Sequence, residues 1–178
     1  SDMRSKNFEF LRPTWEDLAN LGALAEQYTN PDPQSAVAKL RTFAEQITLF
    51  IFHHHGLPKP FQSNFNDLLN TATFLQAVPA VIVSKLHRLR IQGNKGAHGE
   101  PVNSQTAGFL IREAHELGRW VHLNYANGKI EDIAPFAPPS PGEGTETERK
   151  LQKEKASILQ QYARQEAELQ RLLTDLEE

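Results

Sequence analysis

The side chains best suited to chemistry on an anion lie in one stretch, where Lys85, His87, Arg88, Arg90, Lys95 and His98 occur with no acidic residue before Glu100. Guanidinium and ammonium groups neutralise phosphate, and imidazole changes charge near neutral pH. Such a run can grip a nucleic-acid backbone or move a proton at a phosphoryl centre. Lys85, Arg88, Arg90 and Lys95 are therefore the candidate nucleic-acid contacts, although a run of like charge also serves as a plain solvated face. The triplet His53, His54 and His55 offers metal-ligating groups at the wrong spacing, because consecutive residues on a helix point about 100° apart and cannot converge on one ion. No metal site is expected there. Imidazoles at a helix C-terminus interact instead with the macrodipole and the exposed carbonyls.

Other chemistries lack their residues. There is no cysteine, which removes disulfides, thiolate zinc sites and cysteine nucleophiles. Gly93-Asn94-Lys95-Gly96 lacks the spacing and the Ser or Thr partner of a phosphate-binding loop, so no ATP or other cofactor is expected on this chain. No pair of acids precedes a Glu-x-Lys element on a strand, the arrangement a metal-dependent DNA nuclease needs. Trp15, Trp120, Phe43, Phe50, Phe52, Phe74 and Phe109 fall mostly in helical patterns and are expected to fill a core rather than bind a ligand.

The elements that position these residues read as helices. Thr14 can cap a first helix, along which Leu18, Leu21, Ala25 and Tyr28 recur at helical spacing. Asp32 as N-cap and Pro33 at the first helical position open a second, of about 22 residues, with Val37, Leu40, Ala44, Ile47 and Ile51 on one face and Gly56 at its end. Asn64 caps a short helix bearing Phe65, Leu68, Leu69 and Ala72. Pro79 opens another whose apolar face is Val81, Ile82, Leu86 and Leu89. Gly93, Gly96 and Gly99 weaken helix, so a turn or loop is expected between Arg90 and Pro101. From Ser104 the helical period resumes through Ala107, Leu110, Ile111, Ala114, Leu117, Val121 and Tyr125. No segment alternates as a strand should. The fold class predicted is all-α, an antiparallel helical bundle of five helices over residues 7–128.

Residues 129–144 shift to proline, glycine and small residues and read as an extended linker. Residues 145–178 read as one long charged helix opened by a Thr145/Glu148 capping box. Its pattern is only partly heptad-like. Leu151, Ile158 and Leu172 share a seam position with Gln165, and Tyr162, Leu169 and Leu176 share the other with Lys155. That fits a docking helix or an irregular helical hairpin as well as a two-stranded coiled coil. Ser1 and Asp2, ahead of Met3, read as a cloning scar, and the absence of a stop signal at Glu177-Glu178 suggests a boundary inside a longer chain.

The formal net charge is -3. It resides in the last 36 residues, where six Lys or Arg meet nine Asp or Glu, while the first 142 residues carry 13 of each. Overall charge therefore does not announce a nucleic-acid binder. No run approaches the ~20 apolar residues of a membrane span and no signal peptide is visible, so a cytoplasmic location without membrane partners is expected.

The segment from Leu86 to His98 is also the most specific in the chain. A basic helix end, then Gly93-Asn94, three residues and His98, resembles the shared motif of the helical domain that begins many type I restriction enzyme R subunits. Asn7-Phe8-Glu9-Phe10-Leu11, the Asp32-Pro33 helix entry and Lys39-Leu40-Arg41-Thr42-Phe43-Ala44-Glu45 are similar to the same family in the same order, covering residues 7 to about 125. The resemblance implies a scaffold joined to the rest of an R subunit, which carries an ATP- and Mg-dependent DNA motor and a nuclease. Methyltransferase and specificity subunits are the further partners it implies, with DNA reached through the whole complex. That domain is in turn similar to the HEPN superfamily, whose active members are metal-independent ribonucleases using an Arg, a polar residue, three variable residues and a His. Here Asn94 takes the polar position and His98 the histidine, while Gly93 stands where the arginine belongs. In such a site the His handles a proton of the 2'-hydroxyl or the leaving oxygen, and the Arg stabilises the charged phosphate. Without that Arg the motif implies no catalytic residue. If the second half of the motif is helical, Asn94 and His98, at i and i+4, are then expected to share a face and hydrogen-bond across to neighbouring helices.

Overall fold

The computed structural model describes residues 3–140 and 146–177, and for residues 146–152 and 177 it describes backbone only. All regular structure in the described residues is helical. The chain divides into two compact units, the first ending at Pro141 and the second beginning at Gly142.

The first unit is assembled around the 23-residue helix α2 (Pro33–His55). Its start follows the sequence signal: Asp32 accepts a hydrogen bond from the Ser35 amide at 3.3 Å, and Pro33 occupies the first turn, where its missing N–H costs nothing. Its end is Gly56 in the left-handed region at φ 60°. Val37, Leu40, Phe43, Ala44, Ile47, Ile51 and Phe52 are all buried along it. Around α2 pack α1 (Glu16–Tyr28), α3 (Phe65–Leu69), α5 (Ala80–Ala97) and α6 (Ser104–Tyr125), with the α2–α5 and α1–α2 interfaces the most extensive. A short α4 (Ala72–Ala77) lays Phe74 flat on Phe52, ring centroids 5.3 Å apart.

The amino-terminal strap is held by a partly buried acid. Glu26 of α1 accepts from the backbone and side-chain nitrogens of Asn7 at 3.0 and 2.9 Å and from the Ser5 hydroxyl. Burial nevertheless raises its pKa above the usual carboxylate value, the hydrogen bonds opposing that only in part. A 3-10 turn (Glu9–Leu11) follows, delivering Phe8 and Leu11 to the core, where Phe8 meets Phe43 edge to face at 5.3 Å.

Several expectations are corrected. Thr14 does not cap α1: residues 11–15 close a turn, with the Trp15 amide bonded to the Leu11 carbonyl at 2.7 Å, and α1 begins after Trp15. Ala72 is not on the buried face of α3, because the chain breaks at Asn70-Thr71 and restarts as α4, leaving Ala72 exposed. Val81 is 60% exposed, since the buried stripe of α5 runs through Ile82, Val83, Leu86, Leu89 and Gly93. Phe109 is likewise half exposed, one residue off the stripe of Ala107, Leu110, Ile111 and Ala114.

The largest correction concerns the glycines. No loop begins at Arg90: α5 continues through Gly93 and Gly96 to Ala97. A β-carbon at Gly93 would lie 2.3 Å from the Arg41 Cβ, and one at Gly96 would lie 2.8 Å from a Val37 methyl. These glycines let two helices touch backbone to backbone, a use that outweighs their weak helix propensity.

Residues 129–140, read as an extended linker, are held to the helices of the first unit at several points. A 3-10 turn (Ile130–Asp132) is tied to α6 by the His122–Asp132 contact at 2.9 Å. Further on, Asn7 donates to the Ala137 carbonyl and accepts from its amide, both at 2.8 Å, and the Asn30 side chain donates to the Ser140 carbonyl at 3.1 Å. The prolines keep this stretch extended, and its backbone polar groups are met by side chains of the helices.

The second unit is helix α7 (Glu146–Glu177), 32 residues long. Ile158, Leu159, Tyr162, Leu169, Leu172, Leu173 and Leu176 are about half exposed or more. The Thr145 cap and the Leu151 seam position fall outside the described residues. No described helix is long and apolar enough to cross a membrane.

Candidate functional site

The Gly93-Asn94-x3-His98 element spans the last turns and the C-cap of α5, against the N-terminal part of α2, where Gly93 meets Arg41 and Gly96 meets Val37. The close approach that Gly93 permits brings in a residue the local motif did not supply. Arg41 of α2 donates from Nε to the Asn94 Oδ1 at 2.7 Å and from Nη1 to Glu45 at 3.0 Å, and its guanidinium lies 5.6 Å from the centre of the Phe65 ring. An arginine therefore does stand beside the motif, coming from 53 residues earlier in the chain rather than from position 93. Its charge is compensated by Glu45 and its donors are directed at Asn94 and Glu45, so it acts here as a clamp between helices.

His98 behaves differently from the expectation. It is the C-cap of α5, its amide donating to the Asn94 carbonyl at 3.0 Å, and its side chain is exposed and makes no hydrogen bond among the described residues. The helix ends at Ala97, so the i and i+4 relation no longer points both side chains at the same neighbour. Asn94 locks the bundle; His98 does not.

The basic stretch is divided by acids that arrive from α6. Glu113, 93% buried, accepts from Lys85 and from Arg88, both at 2.5 Å, and Lys85 also pairs with the more exposed Glu116. Burial works against the Lys85 ammonium, but its hydrogen bonds to Glu113 and Glu116 together outweigh it and hold the pKa above the ordinary lysine value. Arg88 keeps half of its side chain in solvent. Arg90 approaches only the ring of His87, at 3.4 Å, and His87 is pushed below the usual histidine value by burial and then by Arg90. Lys95 is exposed. The structure thus does not gather Lys85, Arg88, Arg90 and Lys95 into a bare cationic face: two of the four share a buried carboxylate.

The histidine triplet splays as the helix geometry requires. His55 Nε2 contacts the Tyr125 hydroxyl at 2.8 Å, and His54 packs edge-on against the same ring at 4.9 Å. Among the described residues no group of three or more His, Asp or Glu side chains is placed to hold a metal ion.

A long alignment with one curated protein joins this geometry. The chain resembles a restriction endonuclease subunit. It is 27% identical over 143 residues to the Type I restriction enzyme EcoKI endonuclease subunit of Escherichia coli (strain K12), a match that covers 79% of this chain and 12% of that protein. The chain thus spans about an eighth of the length of the curated relative it matches. No family model matches the sequence, and no solved structure matches it. The similarity is thus to one part of a restriction endonuclease subunit, and the fold of the helical unit stands on its own description.

Proposed function

We propose that this chain is the non-catalytic N-terminal interaction module of the restriction (R) subunit of a type I restriction-modification system, an antiparallel, HEPN-like bundle followed by a charged helix. The observation that carries the reading is the alignment with the E. coli endonuclease subunit over four-fifths of this chain. On this reading the rest of the subunit supplies the DNA endonuclease and the ATP-dependent translocase, and ATP and Mg are bound there. The module attaches that machinery to the remainder of the R subunit and to the methyltransferase and specificity subunits in the cytoplasm, and DNA is met through the whole complex.

The structure supports a scaffold over a catalyst at the motif itself. The Asn94 amide oxygen is consumed by Arg41, the Arg41 charge is offset by Glu45, and Lys85 and Arg88 share Glu113. Transition-state stabilisation of a phosphoryl centre requires donors aimed at the reacting oxygens, and donors already committed to side chains lack that aim.

One observation favours a second reading, a HEPN-type metal-independent ribonuclease or a nucleic-acid-binding relative that has lost activity. Arg41 reaches Asn94 from α2, which restores a guanidinium beside the motif. Incubating the purified protein with labelled single-stranded RNA in chelator separates the two. The scaffold reading expects no cleavage by wild type, Arg41→Lys or His98→Ala. Cleavage that His98→Ala abolishes would establish the second reading in its place.

A further inference from the structure

A pocket of about 270 Å³ lies between α6 and the segment that returns along it, lined by Arg112, His115, Glu116 and Arg119 on the helix side and by residues 130 and 133–136 on the other. The positions 112, 115, 116 and 119 fall on one helical face over two turns, and residues 130–136 are held over them by the His122–Asp132 and Asn7–Ala137 contacts. The pocket is therefore built from both ends of the first unit.

Its polar groups are left over from the bundle's own pairing. The carboxylates of α6 that face α5 are spent: Glu113 on Lys85 and Arg88, Glu116 on Lys85. Arg112 and Arg119 have no carboxylate or hydrogen-bond partner among the described residues; Arg112 lies over the Phe136 ring at 4.6 Å, which leaves the edges of its guanidinium available. Between them His115 is 93% buried, and its Nε2 is shielded from solvent with no hydrogen-bond partner. The ring packs among Phe8, Phe10 and Phe136, so it gives the pocket an aromatic floor rather than a polar contact. Burial first, then Arg119 and, against an opposing pull from Glu116, Arg112 hold this imidazole below the ordinary histidine value; with Glu116 paired to Lys85, the charge left unpaired in the pocket is that of the two guanidinium groups.

We propose that this pocket binds a phosphate-bearing ligand, its phosphate held by Arg112 and Arg119 and its organic part seated on the wall of Ile133, Pro135 and Phe136. Two planar forks of donors match a phosphate's oxygens and its charge. The apolar wall gives an esterified phosphate more to hold than the bare ion has. The same chemistry is presented by a free nucleoside monophosphate and by a nucleotide of a single strand. The site is separate from the Asn94 element, so the inference does not depend on the restriction reading.

Titration of the 178-residue protein by two-dimensional NMR at low salt tests it, with inorganic phosphate, a nucleoside monophosphate, the unphosphorylated nucleoside and a short single-stranded oligonucleotide as probes. Phosphorylated probes are expected to shift Arg112, His115, Arg119 and Phe136 signals, and the nucleoside to leave them unmoved. Response to the monophosphate identifies a free nucleotide site; response to the oligonucleotide alone identifies a strand site. Arg119→Gln, which breaks no contact in the bundle, is expected to weaken binding at least tenfold at unchanged melting temperature, whereas Arg112→Lys keeps the charge and loses the fork. The proposal is overturned if no phosphorylated probe moves these signals, if the nucleoside binds equally well, or if Arg119→Gln binds as wild type does.

Discussion

Replacing Gly93 by alanine tests the reason α5 can run through the motif at all. An alanine inside a helix is normally favoured over glycine by up to about 1 kcal/mol. At Gly93 the new methyl would sit 2.3 Å from the Arg41 Cβ, an atom fixed to the backbone of α2 that no rotamer change can move. Carbon atoms prefer roughly 3.5–4.0 Å, so α2 and α5 must part by over ~1 Å along their shared seam. Overpacking of this kind costs about 1–3 kcal/mol. Loss of the Arg41–Asn94 bond, a hydrogen bond to a charged group, adds roughly 1.5–3 kcal/mol. Against the helix-propensity gain the net is a loss of about 1.5–5 kcal/mol, which for a unit of this size lowers Tm by roughly 4–20 °C. Gly108 in α6 is the matched control, since a Cβ there meets nothing within 4 Å. Gly108→Ala is expected to gain about 0.5–1 kcal/mol and raise Tm by a few degrees. Thermal and urea unfolding followed by far-UV circular dichroism measures both. If Gly93→Ala rises with Gly108→Ala, the close helix contact does not exist and the clamp built on it falls.

Other perturbations have outcomes equally fixed by the geometry. Asn94→Ala removes the acceptor for Arg41 and is expected to cost about 1.5–3 kcal/mol by urea unfolding, whereas His98→Ala, at an exposed side chain without a partner among the described residues, leaves stability within about 0.5 kcal/mol. Glu113→Gln deprives Lys85 and Arg88 of their buried carboxylate, and with Glu116 still present for Lys85 the same assay should show a loss of about 1–3 kcal/mol. Asn7→Ala removes both hydrogen bonds to Ala137, so amide exchange at residues 133–140 should accelerate while that of α2 stays unchanged. Glu9 is lowered from 4.5 to about 2, chiefly by its hydrogen bond to Arg12. A depressed folded-state value means its contribution is present above pH 4.5 and lost as pH falls toward 2, so Glu9→Gln should flatten the acid-unfolding curve in that window alone.

What the sequence reveals is what is local. The α2 boundaries follow from Asp32, Pro33 and Gly56, and its buried face from a period of 3.6, because both are read within a few residues. Asn64 and its reciprocal partner Asp67 cap α3 for the same reason. Gly93 and Gly96 mislead because glycine has two uses, turning a chain and letting another chain approach, and only the position of Arg41 and Val37 decides between them. Likewise the stretch from Lys85 to His98 looks uncompensated until Glu113 folds onto it from 25 to 28 residues away. Arg41 stands in a stretch already similar to the restriction family, yet its partnership with Asn94 is a long-range contact that no helical period encodes. The strap over α6 is missed because proline and small residues signal an extended chain, which it is, without signalling that Asn7 will hold it.

The proposal that this chain is a docking module of a restriction subunit meets its most direct test in solution. The 178-residue protein is mixed with the partners that the proposal assigns to it, the separately produced remainder of an R subunit and the methyltransferase and specificity subunits of the same system, and the mixture is resolved by size-exclusion chromatography with light scattering. The account predicts a stoichiometric complex containing this chain. Elution of the chain alone, with those components at micromolar concentration, would contradict it.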